Sequence, residues 1–159
     1  MFLVARAITY SSLFIGFLLV FLPARILART GVTRPTAIGL LQATGLALAF
    51  GGALLALWCI GTFAFVGRGT PAPFDPPRQL VVRGPYRLLR NPMYLGALMV
   101  LSGAALFYQS WALLGYAAAF GVTTHLFVLG YEEPTLRRVF GAQYAEYCAT
   151  VHRWLPGWH

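Results

Sequence analysis

The chain has 159 residues, enough for one domain, of which 58% are hydrophobic and only 10% charged. Soluble domains carry about 25% charged residues, so the composition excludes an ordinary soluble domain and points to an all-α integral membrane protein. The net charge of +8 is carried by arginine alone. Because these arginines flank apolar runs, membrane lipids or an anionic ligand are the expected partners, and nucleic acid is not.

The first apolar run covers about residues 3 to 23 and is expected to close at Pro23. Arg6 before an apolar stretch could open a signal peptide, but no small-residue cleavage site leading to a soluble domain follows, so a retained span is expected. The second run, about 37 to 66, exceeds the roughly 20 residues a span needs. It should therefore tilt, or bend near Gly51-Gly52. Residues 67 to 91 hold five prolines and five arginines, and read as an irregular, stiff loop. The third run (92 to 108) and the fourth (111 to 131) are separated only by Gln109-Ser110, which demands a tight antiparallel hairpin. No alternating barrel pattern occurs, and lipid then leaves only helices. After the fourth run Leu136, Val139, Phe140, Tyr144, Tyr147, Val151 and Trp154 recur at helical spacing, as in a surface amphipathic helix. The expected fold is therefore about four transmembrane helices plus a C-terminal amphipathic helix. Cys59 and Cys148 form no CxxC pair or Cys/His cluster, so neither a disulfide framework nor a metal site is expected.

Four spans put both termini and the 67–91 loop on one side, with nine arginines there against three (Arg25, Arg29, Arg34) on the other. The positive-inside rule makes the first side cytoplasmic. The three arginines of the first loop dissent, and leave open whether the first span fully crosses.

Two segments carry candidate chemistry. Asn91-Pro92 reads as a helix start, since Asn caps well and Pro suits the first helical position. The free amides of Met93 and Tyr94 then form an anion site at the membrane boundary. Arg87 is read as snorkelling to phospholipid, while for Arg90 snorkelling and anion binding stand side by side. Glu132-Glu133 falls where the fourth span leaves the hydrocarbon. With Pro134 the pair can simply open the next helix and complement its dipole, or it can bind a cation such as an ammonium group. The short hairpin makes the two segments neighbours, so together they suit a zwitterion.

GPYRLLRNPMYLG, then a span pair, then YEEPTLRRVFGAQYAEYCATVHRWLP, resembles the isoprenylcysteine carboxyl methyltransferase family, which groups with the phospholipid methyltransferases among integral membrane enzymes. The resemblance covers residues 79 to 156; residues 1 to 66 share only apolar helices with it. It implies one methyltransferase domain over 1–159, with 1–66 as N-terminal helices and 67–159 as the cofactor-binding half. It implies S-adenosylmethionine as methyl donor at the cytoplasmic face, S-adenosylhomocysteine as product, and a lipid-like or small-molecule methyl acceptor. Leu80 and Val81 match a strand-like segment lining the cofactor pocket, and Tyr86 a motif tyrosine. Asn91, Pro92, Met93 and Tyr94 match the helix start that contacts the cofactor. Glu132 matches the glutamate at the cofactor's amino group; Arg90 and Glu133 join it as cofactor-binding candidates.

Two departures from the pattern matter. Asn91 stands where many members have His; it keeps a polar contact but cannot act as acid or base. Val128 stands where the eukaryotic carboxyl methyltransferases have a substrate-contacting Arg, which removes a partner for a prenylcysteine carboxylate. His125 is seven residues before Glu132, so it is expected to share its helix face. Its readings are a catalytic or substrate role, or a hydrogen bond to a neighbouring helix. Trp111, Phe120 and Phe127 either line a lateral opening for the acceptor or pack between helices. The alternatives are a phospholipid or small-amine N-methyltransferase, or a non-enzymatic membrane scaffold or transporter.

Overall fold

The structure, a computed structural model, describes residues 15–63, 65 and 79–155. The first-span residues 3–14 with Arg6, and loop residues 67–78 with Asp75, lie outside the described residues. Every regular element among the described residues is helical. A π-turn at Gly16–Phe21 leads into α1 (Leu22–Thr30). Pro23 does not close the first run: the helical backbone continues through it from the π-turn into α1. The helix continues through Arg25 and Arg29 to Gly31, whose φ of 66° supplies the left-handed stop. Arg25 and Arg29 are thus helical rather than loop residues.

Helix α2 (Leu40–Thr62) runs as one continuous helix through Gly51-Gly52. Gly52 serves close packing. A Cβ there would lie 2.5 Å from the Gly96 carbonyl oxygen, and one on Gly45 would lie 2.6 Å from that of Gly103. Gly96 and Gly103 meet the backbone of α2 in return. Small residues let two membrane helices approach this closely, where dispersion supplies the attraction that water would give elsewhere.

Helices α3 (Pro92–Tyr108) and α4 (Trp111–Phe127) form the expected hairpin. Gln109 turns the chain with φ 49°, and Ser110 Oγ accepts the Leu113 amide at 3.3 Å. Ala97, Leu101, Ala117 and Phe120 fill the α3–α4 core, with Leu18 and Leu19 packed against it. Tyr116 donates to the Leu18 carbonyl at 2.9 Å, which fixes the first segment to the hairpin. Phe120 is therefore a packing residue, while Trp111 is 85% exposed.

Helix α4 passes through a π-turn (Val128–Glu132) into α5 (Glu133–Thr150). The buried face of α5 is Tyr144 and Tyr147, continued by Val151, with Leu80, Leu136 and Phe140 against them. Two members of the expected stripe drop out: Val139 is exposed, and Trp154 lies beyond the helix. Gly141, with φ 50°, breaks α5 into two pieces, and the helix ends at Thr150.

Among the described residues, two helices are long and apolar enough to cross a membrane: Leu40–Thr62, with mean hydropathy 1.9, and the continuous Trp111–Thr150, with 1.6. The apolar part of the second is α4; from Glu132 on it carries Glu133, Arg137 and Arg138. Helix α3 is a shorter apolar helix of 17 residues. Phe50, Trp58, Val122 and Leu126 are exposed on the outside of α2 and α4, as suits a lipid solvent.

Candidate active site

The approach to α3 has no regular secondary structure from Leu80 to Val82 and is extended at Arg83. Leu80 and Val81 meet different neighbours. Val81 is buried against Cys59 and Tyr86, whereas Leu80 packs on the α5 cluster. The chain then turns at Gly84 (φ 57°) into a 3-10 turn, Gly84–Arg87, with Pro85 in its first positions. A side chain at Gly84 would strike Thr62 Oγ1 at 2.9 Å, so glycine seats this turn on the end of α2. Tyr86 lies edge-on to Phe63, with ring centroids 5.2 Å apart, and its carbonyl accepts the Tyr147 hydroxyl at 2.6 Å. Burial, then the neighbouring Cys59, pushes the Tyr86 phenol well up from its ordinary value. It is a neutral packing and hydrogen-bonding group at any physiological pH.

Arg87 points out to solvent, while Arg90 turns in. Arg90 Nη1 donates to Glu133 Oε1 at 3.1 Å and to Cys148 Sγ at 2.8 Å. Glu133 also receives Arg153, through Nε at 2.7 Å and Nη2 at 3.1 Å. Burial alone would raise the Glu133 carboxyl, but the Arg153 hydrogen bonds and the charges of Arg90, Arg153 and Arg137 hold it below its ordinary value. Arg90 and Glu133 thus form a three-member ion cluster with Arg153 behind the α3 start.

Helix α3 begins at Pro92, as expected, yet Asn91 does not cap it. Its side chain is buried and donates through Nδ2 to the Arg153 carbonyl at 3.2 Å. The first-turn amides of Met93 and Tyr94 receive no side-chain cap, and no intrahelical carbonyl lies behind them. Met93 packs on the Cys59–Val81–Tyr86 cluster. The Tyr94 hydroxyl donates to Glu132 Oε2 at 2.9 Å, across from α3 to the last residue of the π-turn. The two sequence segments therefore meet directly. The other carboxylate oxygen of Glu132, Oε1, is not the one that Tyr94 engages. A carboxylate at this depth gains from a cation beside it, and the donor end of α3 stands next to it.

His125 lies apart from this pair. Its Nδ1 accepts the Trp154 indole N–H at 3.0 Å. Indole can only donate, so a neutral His125 in this contact carries its proton on Nε2. The face shared with Glu132 does not survive either. The Glu133 amide bonds to the Val128 carbonyl, five residues back, and this wider turn breaks the 3.6-residue register. Val128 itself is fully buried. Arg153 and Trp154 emerge as site residues that the sequence did not single out as such; nothing local to residues 151–155 signals their distant partners.

The residues present suit S-adenosylmethionine's zwitterionic end: uncapped donors for a carboxylate, and Glu132 for an ammonium group. A comparison with curated proteins found no match. The model of the family described as phospholipid methyltransferase matches residues 40–143, from the first residue of α2 through the glutamate pair into α5. The match includes α2, which the sequence motifs alone did not reach. Covering well over half of the chain, it places the protein in the phospholipid methyltransferase family of integral membrane methyltransferases.

Proposed function

We propose that this protein is an S-adenosylmethionine-dependent methyltransferase acting on a lipophilic acceptor, with about four membrane-crossing helices and its site on the cytoplasmic face. The observation that carries this reading is the 2.9 Å bond from Tyr94 to Glu132 Oε2. It holds a carboxylate against the open donor end of α3, so that opposite charges of one small ligand are recognised side by side.

In this reading the amides of Met93 and Tyr94 orient the donor's carboxylate, and Glu132 its ammonium group. Tyr94 keeps Glu132 in place. Asn91, Leu80, Val81, Tyr86 and Pro92 shape the wall, and the Arg90–Glu133–Arg153 cluster stiffens it from behind. S-adenosylmethionine supplies an electrophilic methyl group on a sulfonium and leaves as S-adenosylhomocysteine. The chain's own task is alignment and exclusion of water, and positioning of this kind contributes up to about 7–11 kcal/mol. His125, donating through Nε2, serves as a contact for the acceptor rather than as a base. An acceptor that needs no deprotonation, such as a carboxylate, fits that arrangement best.

Calorimetric titration of purified protein in detergent with S-adenosylhomocysteine tests the reading, and binding is expected. Glu132→Gln should weaken it about tenfold or more, since a buried charge-assisted hydrogen bond contributes about 1.5–3 kcal/mol. Unchanged affinity would remove Glu132 from the site, and no binding by the wild type would sink the enzyme reading. Radiolabelled methyl transfer into extracted lipids, set against prenylcysteine analogues, then identifies the acceptor.

A further inference from the structure

The segment after α5, residues 151–155, is held to three separate elements. Its His152 carbonyl accepts the Arg90 amide at 2.9 Å, and its Arg153 carbonyl accepts Asn91 Nδ2 at 3.2 Å. The Arg153 side chain binds Glu133 at the head of α5, and Trp154 Nε1 donates to His125 on α4. Val151, at its base, is buried against Tyr144 and Tyr147. The family match ends at residue 143, before this segment begins.

Asn91 shows what the segment does. Asn is among the strongest helix N-caps, and in that role it takes an extended ψ while its side-chain oxygen accepts an amide of the first turn. Here its ψ is 50° and it caps nothing. Both the Arg90 amide and the Asn91 side chain are engaged by the segment instead. A residue built to close the end of α3 is held away from it.

We propose that residues 151–155 form a positioning strap that keeps Asn91 from capping α3, and so keeps the Met93 and Tyr94 amides open for the anionic end of a ligand. Trp154 is the strap's far anchor. When its indole N–H is lost the strap slackens, Asn91 relaxes towards extended ψ, and its Oδ1 takes an amide of the first turn. The capping oxygen then competes with a bound carboxylate. The ligand part of this proposal rests on the methyltransferase reading; the conformational part does not.

The test is Trp154→Phe, which keeps a ring beside His125 and deletes the N–H. Amide hydrogen exchange of Met93 and Tyr94 in ligand-free protein is expected to slow, because a cap has formed. General loosening of the structure would speed it. Faster or unchanged exchange at these amides overturns the strap. In parallel, S-adenosylhomocysteine affinity should fall about two- to tenfold, the range of one neutral hydrogen bond. That loss should vanish in an Asn91→Ala background, where no cap can compete. Losses that simply add overturn the link through Asn91. Slowed exchange in a protein that binds no S-adenosylhomocysteine would instead overturn the methyltransferase reading and leave the strap standing.

Discussion

At the scale of single residues, two adjacent glutamates do different work because of what reaches them. Glu132 meets a tyrosine hydroxyl, whereas Glu133 meets two guanidinium groups. The sequence pairs them; only the π-turn and the following helix send their carboxylates apart. Glu133 also sets a pH prediction. Its folded-state pKa lies below the ordinary 4.5, so its contribution to stability is complete above that value and is lost as pH falls through the folded pKa. Thermal denaturation in detergent should show a drop in melting temperature below about pH 4.5. Glu133→Gln should lower stability at neutral pH by about 1–3 kcal/mol, since Arg90 is largely buried while Arg153 is partly exposed, and should flatten the acid limb. An acid limb identical in the two proteins would show that another carboxyl is responsible.

At the scale of elements, the α2–α3 pair depends on what is absent from its interface. Each Cβ position at Gly45, Gly52, Gly96 and Gly103 falls within 3 Å of partner backbone, and backbone cannot move aside as the end of a side chain can. Gly52→Val should therefore force the helices apart and cost at least about 1–3 kcal/mol, the usual range for overpacking. Gly61→Val, where a Cβ meets nothing within 4 Å, is the control, and both are read as melting temperatures in one detergent. Equal melting temperatures would refute close packing at Gly52. The glycines were legible in the sequence but their role was not. A Gly-Gly step in a long run suggests a bend, and only the neighbouring helix reveals a contact. Pro23 teaches the same lesson, since a proline after an apolar run suggests an end, yet the helical backbone passes through it. The Asn91 cap failed for a related reason: capping is a local preference, and a carbonyl 62 residues away outcompeted it.

At the scale of the whole molecule, the proposed orientation puts the α3 start and Glu132 on the cytoplasmic side, with Arg34 on the other. Single cysteines placed at the exposed Arg87 and Arg34, in a variant lacking Cys59 and Cys148, should react oppositely with an impermeant maleimide in oriented vesicles. Labelling of both from one side would contradict the arrangement. The sequence by itself determined the solvent, the helical class, the α3–α4 hairpin and the two segments that meet at the candidate site. These follow from apolar run length, turn residues and motif spacing, all of which are local. The tertiary structure decided which glutamate Tyr94 engages, that α2 carries the glycine seam, that His125 is held by Trp154, and that a strap rather than a cap occupies Asn91. Each of these turns on a choice between competing partners far apart in the chain, and such a choice is made only when the helices have packed.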